Sequence, residues 1–176
     1  NSSLFPSSPY SASKAAADLL CIAAHKTFDL NVSITRVTNN YGEMQFPEKI
    51  IPLFIKLLLN DEPVTLYGDG SNQREWLHVE DHCDGIIRVL RGGVPGAIYN
   101  IGSGLSLTNI ELTNLILTTL DKPSNMVQFV SDRLGHDLRY AVNFDRIQNE
   151  LSYQPKHDIR KDMLNLVNSY KILYSR

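Results

Sequence analysis

The chain has 176 residues, a formal net charge of −2, and 43% hydrophobic and 20% charged residues. These values are typical of a globular domain with an apolar core, and they exclude a disordered, collagen-like or low-complexity chain. The near-neutral charge does not favour nucleic-acid binding, and the most apolar stretch, residues 50–59, contains Pro52 and Lys56 and is too short to cross a membrane.

The cysteines and the first residues bear on the cellular compartment. Cys21 and Cys83 lie far apart in apolar segments with helical spacing, which favours packed thiols over a disulfide. This usage indicates a reducing, cytoplasmic setting. The sequence starts at Asn1, and its first nine residues contain neither a basic region nor an apolar run. We therefore expect a cut or processed chain that is not secreted.

Helical and extended patterns alternate along the chain. Alanine and leucine spacing predicts a first helix over residues 11–28, and a buried strand over 32–37 leads into a polar turn at 38–42. Further helices are predicted over residues 48–59, 81–91, 109–120, 144–151 and 158–174. Further strands are predicted over 64–67, 75–79, 97–101 and 126–130, with a hairpin between the first two. This alternation predicts an α/β fold with a mainly parallel sheet.

Tyr10 and Lys14 are four residues apart at the start of the first predicted helix, so their side chains share one face. At an effective dielectric constant of about 20 and a separation of about 5.5 Å, a phenolate and an ammonium attract each other by roughly 3 kcal/mol. The positive end of the helix adds to this stabilisation of the ionised phenol. The pair therefore predicts a tyrosine that acts as a base, with a plain helix-surface pair as the alternative.

Two rival motifs have less support. His78 and His82 are four residues apart, as in a zinc-binding helix, but Val79 stands where a zinc protease has glutamate and the sequence offers no evident third ligand. Ser11 and Lys14 have the spacing of penicillin-recognising acyl enzymes, yet the accompanying Ser-Asp-Asn and Lys-Thr-Gly motifs are missing. Ser11 is then a capping or first-turn hydroxyl.

Seven motifs follow one another in a single order. They are SPYSASKAAAD (8–18), RVTNNYG (36–42), QFPEKIIP (45–52), LYGDG (66–70), REWLHVEDH (74–82), YNIG (99–102) and DRLGHD (132–137). In this order they resemble the C-terminal half of the dTDP-glucose 4,6-dehydratases, a family of the extended short-chain dehydrogenase/reductase superfamily. The resemblance covers nearly the whole chain.

The resemblance implies a fold, a cofactor and a reaction. The fold is the C-terminal part of an NAD-binding Rossmann-type domain plus a smaller mixed α/β substrate-binding domain. Residues 1–42 and 80–102 would belong to the Rossmann-type domain and the rest of 43–176 to the substrate domain. The reaction would convert dTDP-glucose to its 4-keto-6-deoxy sugar by oxidation at C4, elimination of water across C5 and C6, and return of the hydride to C6. Relatives are commonly homodimers that pair helices.

The resemblance also implies site residues. Tyr10 would accept the proton of the sugar 4-hydroxyl, Lys14 would hold the nicotinamide ribose, and Asn40 would lie against NAD. Arg74 and Arg133 would donate to the diphosphate, which suits their forked guanidinium groups. Contacts to the sugar nucleotide are implied for Asn39, Lys49, Ile50, Thr65, Leu66, Tyr67, Arg74, Asn109, Asp132, Arg133 and His136.

Several features depart from the family pattern. Glu43 and Thr65 stand where proline is common, and a late tyrosine that touches the nucleotide has no counterpart before Arg176. No strand is followed by Gly-x-Gly-x-x-Gly, and the family's Thr-Asp-Glu run is missing from the sequence. The alternatives that stay open are an epimerase or decarboxylase of the same superfamily and a catalytically inert sugar-nucleotide-binding lobe.

Overall fold

The structure is a computed structural model that describes residues 4–132, 135 and 137–174. Its helices are α1 (Pro9–Phe28), α2 (Ile50–Leu59), α3 (Val79–Gly92), α4 (Asn109–Thr119), α5 (Asp145–Leu151) and α6 (Ile159–Tyr174). Its strands are β1 (Ile34–Val37), β2 (Asn39–Tyr41), β3 (Val64–Tyr67), β4 (Gln73–His78), β5 (Ile98–Ile101), β6 (Ser106–Thr108), β7 (Val127–Val130) and β8 (Arg139–Tyr140). The predicted α/β fold is confirmed.

Most strand pairs are parallel, as expected when helices join the strands. β1 pairs with β5, and β3 pairs with β7, each in parallel over four residues. β4 pairs in parallel with β2 and β8 and antiparallel with β6. Because Gln73 and Arg74 pair with both β6 and β8, these two strands lie on opposite edges of β4.

The predicted hairpin between residues 64–67 and 75–79 is wrong, since β3 pairs with β7 and not with β4. The turn between β3 and β4 directs the chain away from β3 at Gly68 and Gly70, which have φ angles of 60° and 75°. Its polar groups are used elsewhere: Gly68 N–H donates to the Val130 carbonyl at 2.9 Å, and Ile110 N–H donates to the Gly70 carbonyl at 3.0 Å.

Three short strands were absent from the sequence prediction. β2 falls in the segment predicted as a polar turn, and β6 and β8 have three and two residues. Such short, polar segments carry no period-2 hydrophobic pattern, so only their pairing with β4 makes them strands. The longer elements agree with the prediction to within about two residues at most ends.

A large apolar cluster packs α2, α4 and α6 against β3 and β4. Its fully buried side chains include Ile51, Ile55 and Leu58 of α2, Leu112 and Ile116 of α4, Ile159 and Val167 of α6, and Val64 of β3. α2 is apolar around most of its circumference because it is enclosed on several sides. This cluster takes its side chains from residues 41–76, 107–127 and 159–174.

A second, smaller cluster surrounds β5. Tyr99 and Ile101 of this strand pack with Leu77, Val89 of α3 and Ile147 of α5, and Ala97 and Tyr153 complete the cluster. Gly85 of α3 makes this packing possible, since a Cβ there would lie only 2.8 Å from Ile101 Cγ2. α3 and α5 therefore pack on the same parallel strand pair.

Helix α1 is the least covered element. None of its 20 residues is buried, and Leu19, Leu20 and Phe28 are each more than half exposed. Polar contacts attach it to the strand that follows: Arg36 Nε donates to Asp18 Oδ2 at 2.7 Å, and His25 Nδ1 is 2.8 Å from the Leu30 carbonyl. Within the described residues, no helix has the length and apolarity needed to cross a membrane.

The packing predicts a large difference between two leucines in helices. Leu112 is fully buried in the large cluster, whereas Leu90 of α3 is 83% exposed. We expect Leu112→Ala to lower the free energy of unfolding by about 3 kcal/mol and Leu90→Ala to change it by less than about 0.5 kcal/mol. Urea unfolding followed by circular dichroism measures both values, and equal losses would contradict the assignment of the core.

Candidate active-site cleft

Tyr10 and Lys14 both lie in the first turns of α1. The helix starts at Pro9, and Ser8 is its N-cap, with its hydroxyl oxygen accepting the Ser11 N–H at 3.1 Å. Because the helix is continuous from Pro9 onward, residues four apart lie on the same side. Both side chains are exposed, and Tyr10 is 74% exposed. The phenol and the ammonium are therefore open to a ligand.

Tyr140 of β8 was not identified from the sequence. Burial raises the pKa of the Tyr140 hydroxyl, and the electrostatic influence of Tyr10 and Asp137 adds to the increase. The Tyr140 hydroxyl donates to the Val37 carbonyl at 3.1 Å. Tyr10 and Tyr140 thus lie where β1 ends, and the carboxyl ends of parallel strands are where α/β proteins bind ligands.

Two buried polar atoms at the end of β1 lack partners among the described residues. They are Thr38 Oγ1 and Asn40 Oδ1, while the Asn40 amide donates to the Thr38 carbonyl at 3.3 Å. Buried polar atoms are normally hydrogen-bonded, so these two fit a polar ligand group. The implied cofactor contact at Asn40 is compatible with this arrangement, and Asn39 lies beside it in β2. Thr38 was not among the sequence candidates.

The turn between β3 and β4 gathers other candidate residues. A Cβ at Gly68 would lie 3.4 Å from Asp132, and Asn109 N–H donates to the Asn72 carbonyl at 3.0 Å. Asn109 begins α4 after a capping box in which Thr108 and Glu111 exchange hydrogen bonds. Asp132 therefore lies at Gly68, near the start of the turn, and Asn109 lies at Asn72, near its end. Tyr67 comes just before the turn and Arg74 just after it.

The loop that carries Asp132 also approaches α1. A Cβ at Gly135 would lie 4.0 Å from the carbonyl oxygen of Ser7, just ahead of the helix. Arg133 and His136 lie outside the described residues. The same loop continues into β8, so one segment connects the turn at Gly68 with the end of the helix that carries Tyr10.

The remaining candidates differ in accessibility. Lys49 is exposed at the N-terminal end of α2, and Ile50 packs partly against the large cluster. In β3, Thr65 and Tyr67 are exposed, but Leu66 is only 2% exposed and belongs to the core. Leu66 can therefore meet a ligand only through its backbone, since strand side chains alternate between the two faces.

The histidine beside His78 in the structure is His157. His78 comes together with His157 and Glu80, not with His82, and the potential ligand atoms lie within 4.8 Å of one another. However, the rings of His78 and His157 stack with centroids 3.9 Å apart and planes 18° from parallel. Nitrogen lone pairs lie in the ring planes, so stacked rings cannot both point at one ion. His78 Nδ1 instead accepts the Glu80 N–H as an N-cap of α3.

An open depression between α3 and α5 is lined by Asp84, Ile87, Arg88, Arg91, Gly92 and Leu151. The guanidinium of Arg88 in this depression already donates hydrogen bonds within the protein. Arg88 Nε donates to Asp84 at 2.7 Å, and Nη1 donates to the carbonyls of Leu151 and Ser152 at 2.8 and 3.0 Å. Arg88 therefore holds the C-terminal end of α5 on α3.

A family model described as "NAD dependent epimerase/dehydratase family" matches residues 1–102. The chain belongs to this family. A dTDP-glucose 4,6-dehydratase of Actinoplanes sp. is 47% identical over 96% of this chain and 52% of that protein. A dTDP-glucose 4,6-dehydratase of Streptomyces griseus is 51% identical over 95% of this chain and 51% of that protein.

A solved structure with high similarity to this chain has the same fold. The crystal structure of DesIV, the dTDP-glucose 4,6-dehydratase of Streptomyces venezuelae with NAD and TYD bound, superposes with a TM-score of 0.96 and 48% identity. The superposition covers 99% of this chain and 54% of DesIV. The chain therefore spans about half the length of the relatives it matches.

The histidine pair predicts a pH dependence of stability. Burial, followed by the charge of His157, lowers the pKa of His78 below its ordinary 6.5, although Asp162, Glu80 and Asp81 oppose the change. The folded chain then binds this proton less readily than the unfolded chain, so stability falls as the pH drops from about 6.5 through the lowered pKa. His78→Asn keeps an N-cap acceptor without this titration.

We expect the free energy of unfolding of His78→Asn to depend less steeply on pH than that of the wild type between about pH 5 and about pH 6.5. Urea unfolding at a series of pH values measures the two slopes. Parallel pH profiles for the two proteins would contradict the expected contribution of His78.

Proposed function

We propose that the chain is the C-terminal, sugar-nucleotide-binding half of an NAD-dependent dTDP-glucose 4,6-dehydratase, which forms dTDP-4-keto-6-deoxyglucose and water. The observation that carries this proposal is the exposed pair of Tyr10 and Lys14, which lie one helical turn apart at the start of α1. The names of the Actinoplanes and Streptomyces relatives support it, as do NAD and TYD in the similar structure.

Residues 1–42 and 80–102 would form part of a Rossmann-type domain, and the rest of 43–176 would form most of the substrate domain. The two apolar clusters support this division, because α3 and β5 belong to the smaller one and α2, α4 and α6 to the larger. Ile147 and Tyr153 also pack in the smaller cluster. The segment around α5 would therefore return to the Rossmann-type side.

NAD would supply the oxidant for the sugar C4 hydroxyl and return the hydride after water is lost. In this chain, Tyr10, Lys14 and Asn40 would hold the cofactor. The fit rests on the open side chains at the start of α1 and on the buried Asn40 Oδ1, which has no hydrogen-bond partner in the part of the chain that the structure describes. Asn39 in the neighbouring position of β2 would contact the sugar nucleotide.

Tyr10 would act as the base for the sugar 4-hydroxyl. The ammonium of Lys14 lies one helical turn away on the same side of α1. A phenolate near a bound sugar can accept the hydroxyl proton when the carbinol is oxidised. Lys14 would also bind the nicotinamide ribose through its ammonium hydrogens.

The nucleotide would be bound around the turn between β3 and β4. Arg74 would donate to the diphosphate, for which the guanidinium offers a forked set of N–H groups. Lys49, Ile50, Thr65, Leu66, Tyr67, Asn109 and Asp132 would complete the pocket, with Arg133 and His136. Binding energy from the nucleotide would hold the sugar against Tyr10, which lowers the barrier without any chemistry at the nucleotide itself.

We further infer a homodimer that pairs α1 with its copy in the partner subunit. The exposed Leu19, Leu20 and Phe28 support this inference, because an apolar helix face with no buried residue favours association. A reducing, cytoplasmic setting is inferred from the two free thiols of Cys21 and Cys83.

The proposal is tested with a chimeric enzyme in which this chain replaces the C-terminal half of the Streptomyces griseus relative. We expect the chimera to convert dTDP-glucose to the 4-keto-6-deoxy product, and the 176-residue chain alone to form none. An epimerised hexose without loss of water would identify an epimerase instead. Nucleotide binding without any turnover in the chimera would identify an inert binding lobe.

In the chimera, Tyr10→Phe should lower turnover by about a thousandfold while dTDP affinity is retained, because the substitution removes the base and leaves the nucleotide contacts. Tyr174→Phe is the matched control, since it removes a hydroxyl that donates to the Pro52 carbonyl at 3.4 Å. Steady-state kinetics and calorimetry measure the two effects. Wild-type turnover in Tyr10→Phe would contradict the assignment.

Arg74→Gln should raise the Michaelis constant for dTDP-glucose by about tenfold or more, since a hydrogen bond to a charged group contributes about 1.5 to 3 kcal/mol. The effect on turnover should be smaller, because the diphosphate does not react. Arg91→Gln on the exposed side of α3 removes the same charge as a control. A fall in turnover with an unchanged Michaelis constant would contradict a binding role.

A further inference from the structure

We propose that Glu75 is a positioning residue for nucleotide binding, which acts through backbone amides to fix the segment that carries Asp132 and Tyr140. This inference rests on the proposed function. Glu75 lies in the motif over residues 74–82, but it was not among the site residues that the resemblance implies. It is 1% exposed and lies in β4, between Arg74 and the core residue Trp76.

Both carboxylate oxygens of Glu75 accept backbone hydrogen bonds. Oε1 accepts from Ser103 N–H at 2.6 Å and from Gly104 N–H at 3.0 Å, and Oε2 accepts from Val142 N–H at 3.0 Å. Burial of a carboxylate is costly unless such bonds replace its hydration. One side chain therefore joins β4 to two segments that are distant in sequence.

Gly102 makes room for this carboxylate. A Cβ at Gly102 would clash with Glu75 Oε1 and would lie 2.9 Å from Val142 Cγ2. Ser103 Oγ donates to the Trp76 carbonyl at 2.6 Å, which keeps the turn on β4. The glycine-containing turn after β5 is thus shaped around Glu75.

The segment 137–142 is attached to β4 at successive positions. The Asn72 amide donates to the Asp137 carbonyl at 3.2 Å, and Gln73 N–H donates to the Leu138 carbonyl at 2.8 Å. β8 then pairs with Gln73 and Arg74, and Glu75 holds Val142. The bond from Val142 to Glu75 is therefore the last of these attachments, and Val142 lies two residues after Tyr140.

Fixing this segment affects both ends of the cleft. On its C-terminal side it holds Tyr140, whose hydroxyl donates to the Val37 carbonyl at the end of β1. On its N-terminal side the same loop brings Asp132 to the turn at Gly68. Arg74 precedes Glu75 in the strand, so its side chain extends from the opposite face. Glu75 can thus orient the nucleotide contacts from behind, without touching the ligand.

The test compares Glu75→Gln with the wild type of the 176-residue chain by calorimetric titration with dTDP. The amide nitrogen of glutamine cannot accept a backbone N–H, so at least one attachment is lost. We expect dTDP affinity to fall by about tenfold or more, with an unchanged circular dichroism spectrum. Equal affinities of the two proteins would overturn the proposal.

A stability control separates positioning from general destabilisation. Val167→Ala removes volume from the large cluster at a fully buried position of α6. It should lower the free energy of unfolding but leave dTDP affinity unchanged. If Val167→Ala weakens dTDP binding as much as Glu75→Gln does, the effect of Glu75 is merely structural and the proposal is wrong.

Hydrogen exchange of the wild type provides a test that does not depend on a folded variant. We expect dTDP to slow exchange of the Ser103, Gly104 and Val142 amides, because ligand binding stabilises the attached segments. Unchanged exchange at these amides under saturating dTDP would overturn the proposal. Absence of dTDP binding to the wild-type chain would overturn the proposed nucleotide site first, and this inference with it.

Discussion

Strand β4 pairs with three strands that carry or lead into candidate ligand-binding residues. It pairs with β2, which carries the two asparagines, with β6, which leads into α4 and Asn109, and with β8, which carries Tyr140. Its own residues contribute Arg74 to the cleft and Glu75 to the interior. Because β4 contacts both apolar clusters through Trp76 and Leu77, it also connects the two halves of the core. The geometry of the cleft follows from this shared strand.

The core and α1 are held in place in different ways. The large cluster buries side chains of three helices and gives the turn between β3 and β4 a firm support. α1 contributes no buried residue and depends on polar contacts such as Arg36 with Asp18. The ion pair is partly exposed and contributes little on its own, so further packing is needed to fix α1. The proposed dimer would supply such packing.

The sequence was most informative where a long pattern or a fixed spacing exists. It predicted the six helices, the longer strands and the shared face of Tyr10 and Lys14, because these depend on periodicity along a single segment. It failed for the pairing of β3 and for the strands β2, β6 and β8, which are determined by contacts between distant segments. Tyr140, Thr38 and Glu75 were missed for the same reason. His157 stacks on His78 across 79 residues, so no local spacing could have revealed it.

The most direct test of the account is to map dTDP binding on the isotopically labelled chain by nuclear magnetic resonance. The account predicts amide shift changes around the turn between β3 and β4, at Arg74, at the start of α4 and along the segment that precedes β8. Changes confined to the depression between α3 and α5, or no change at millimolar dTDP, would contradict the claim that this chain carries the nucleotide site.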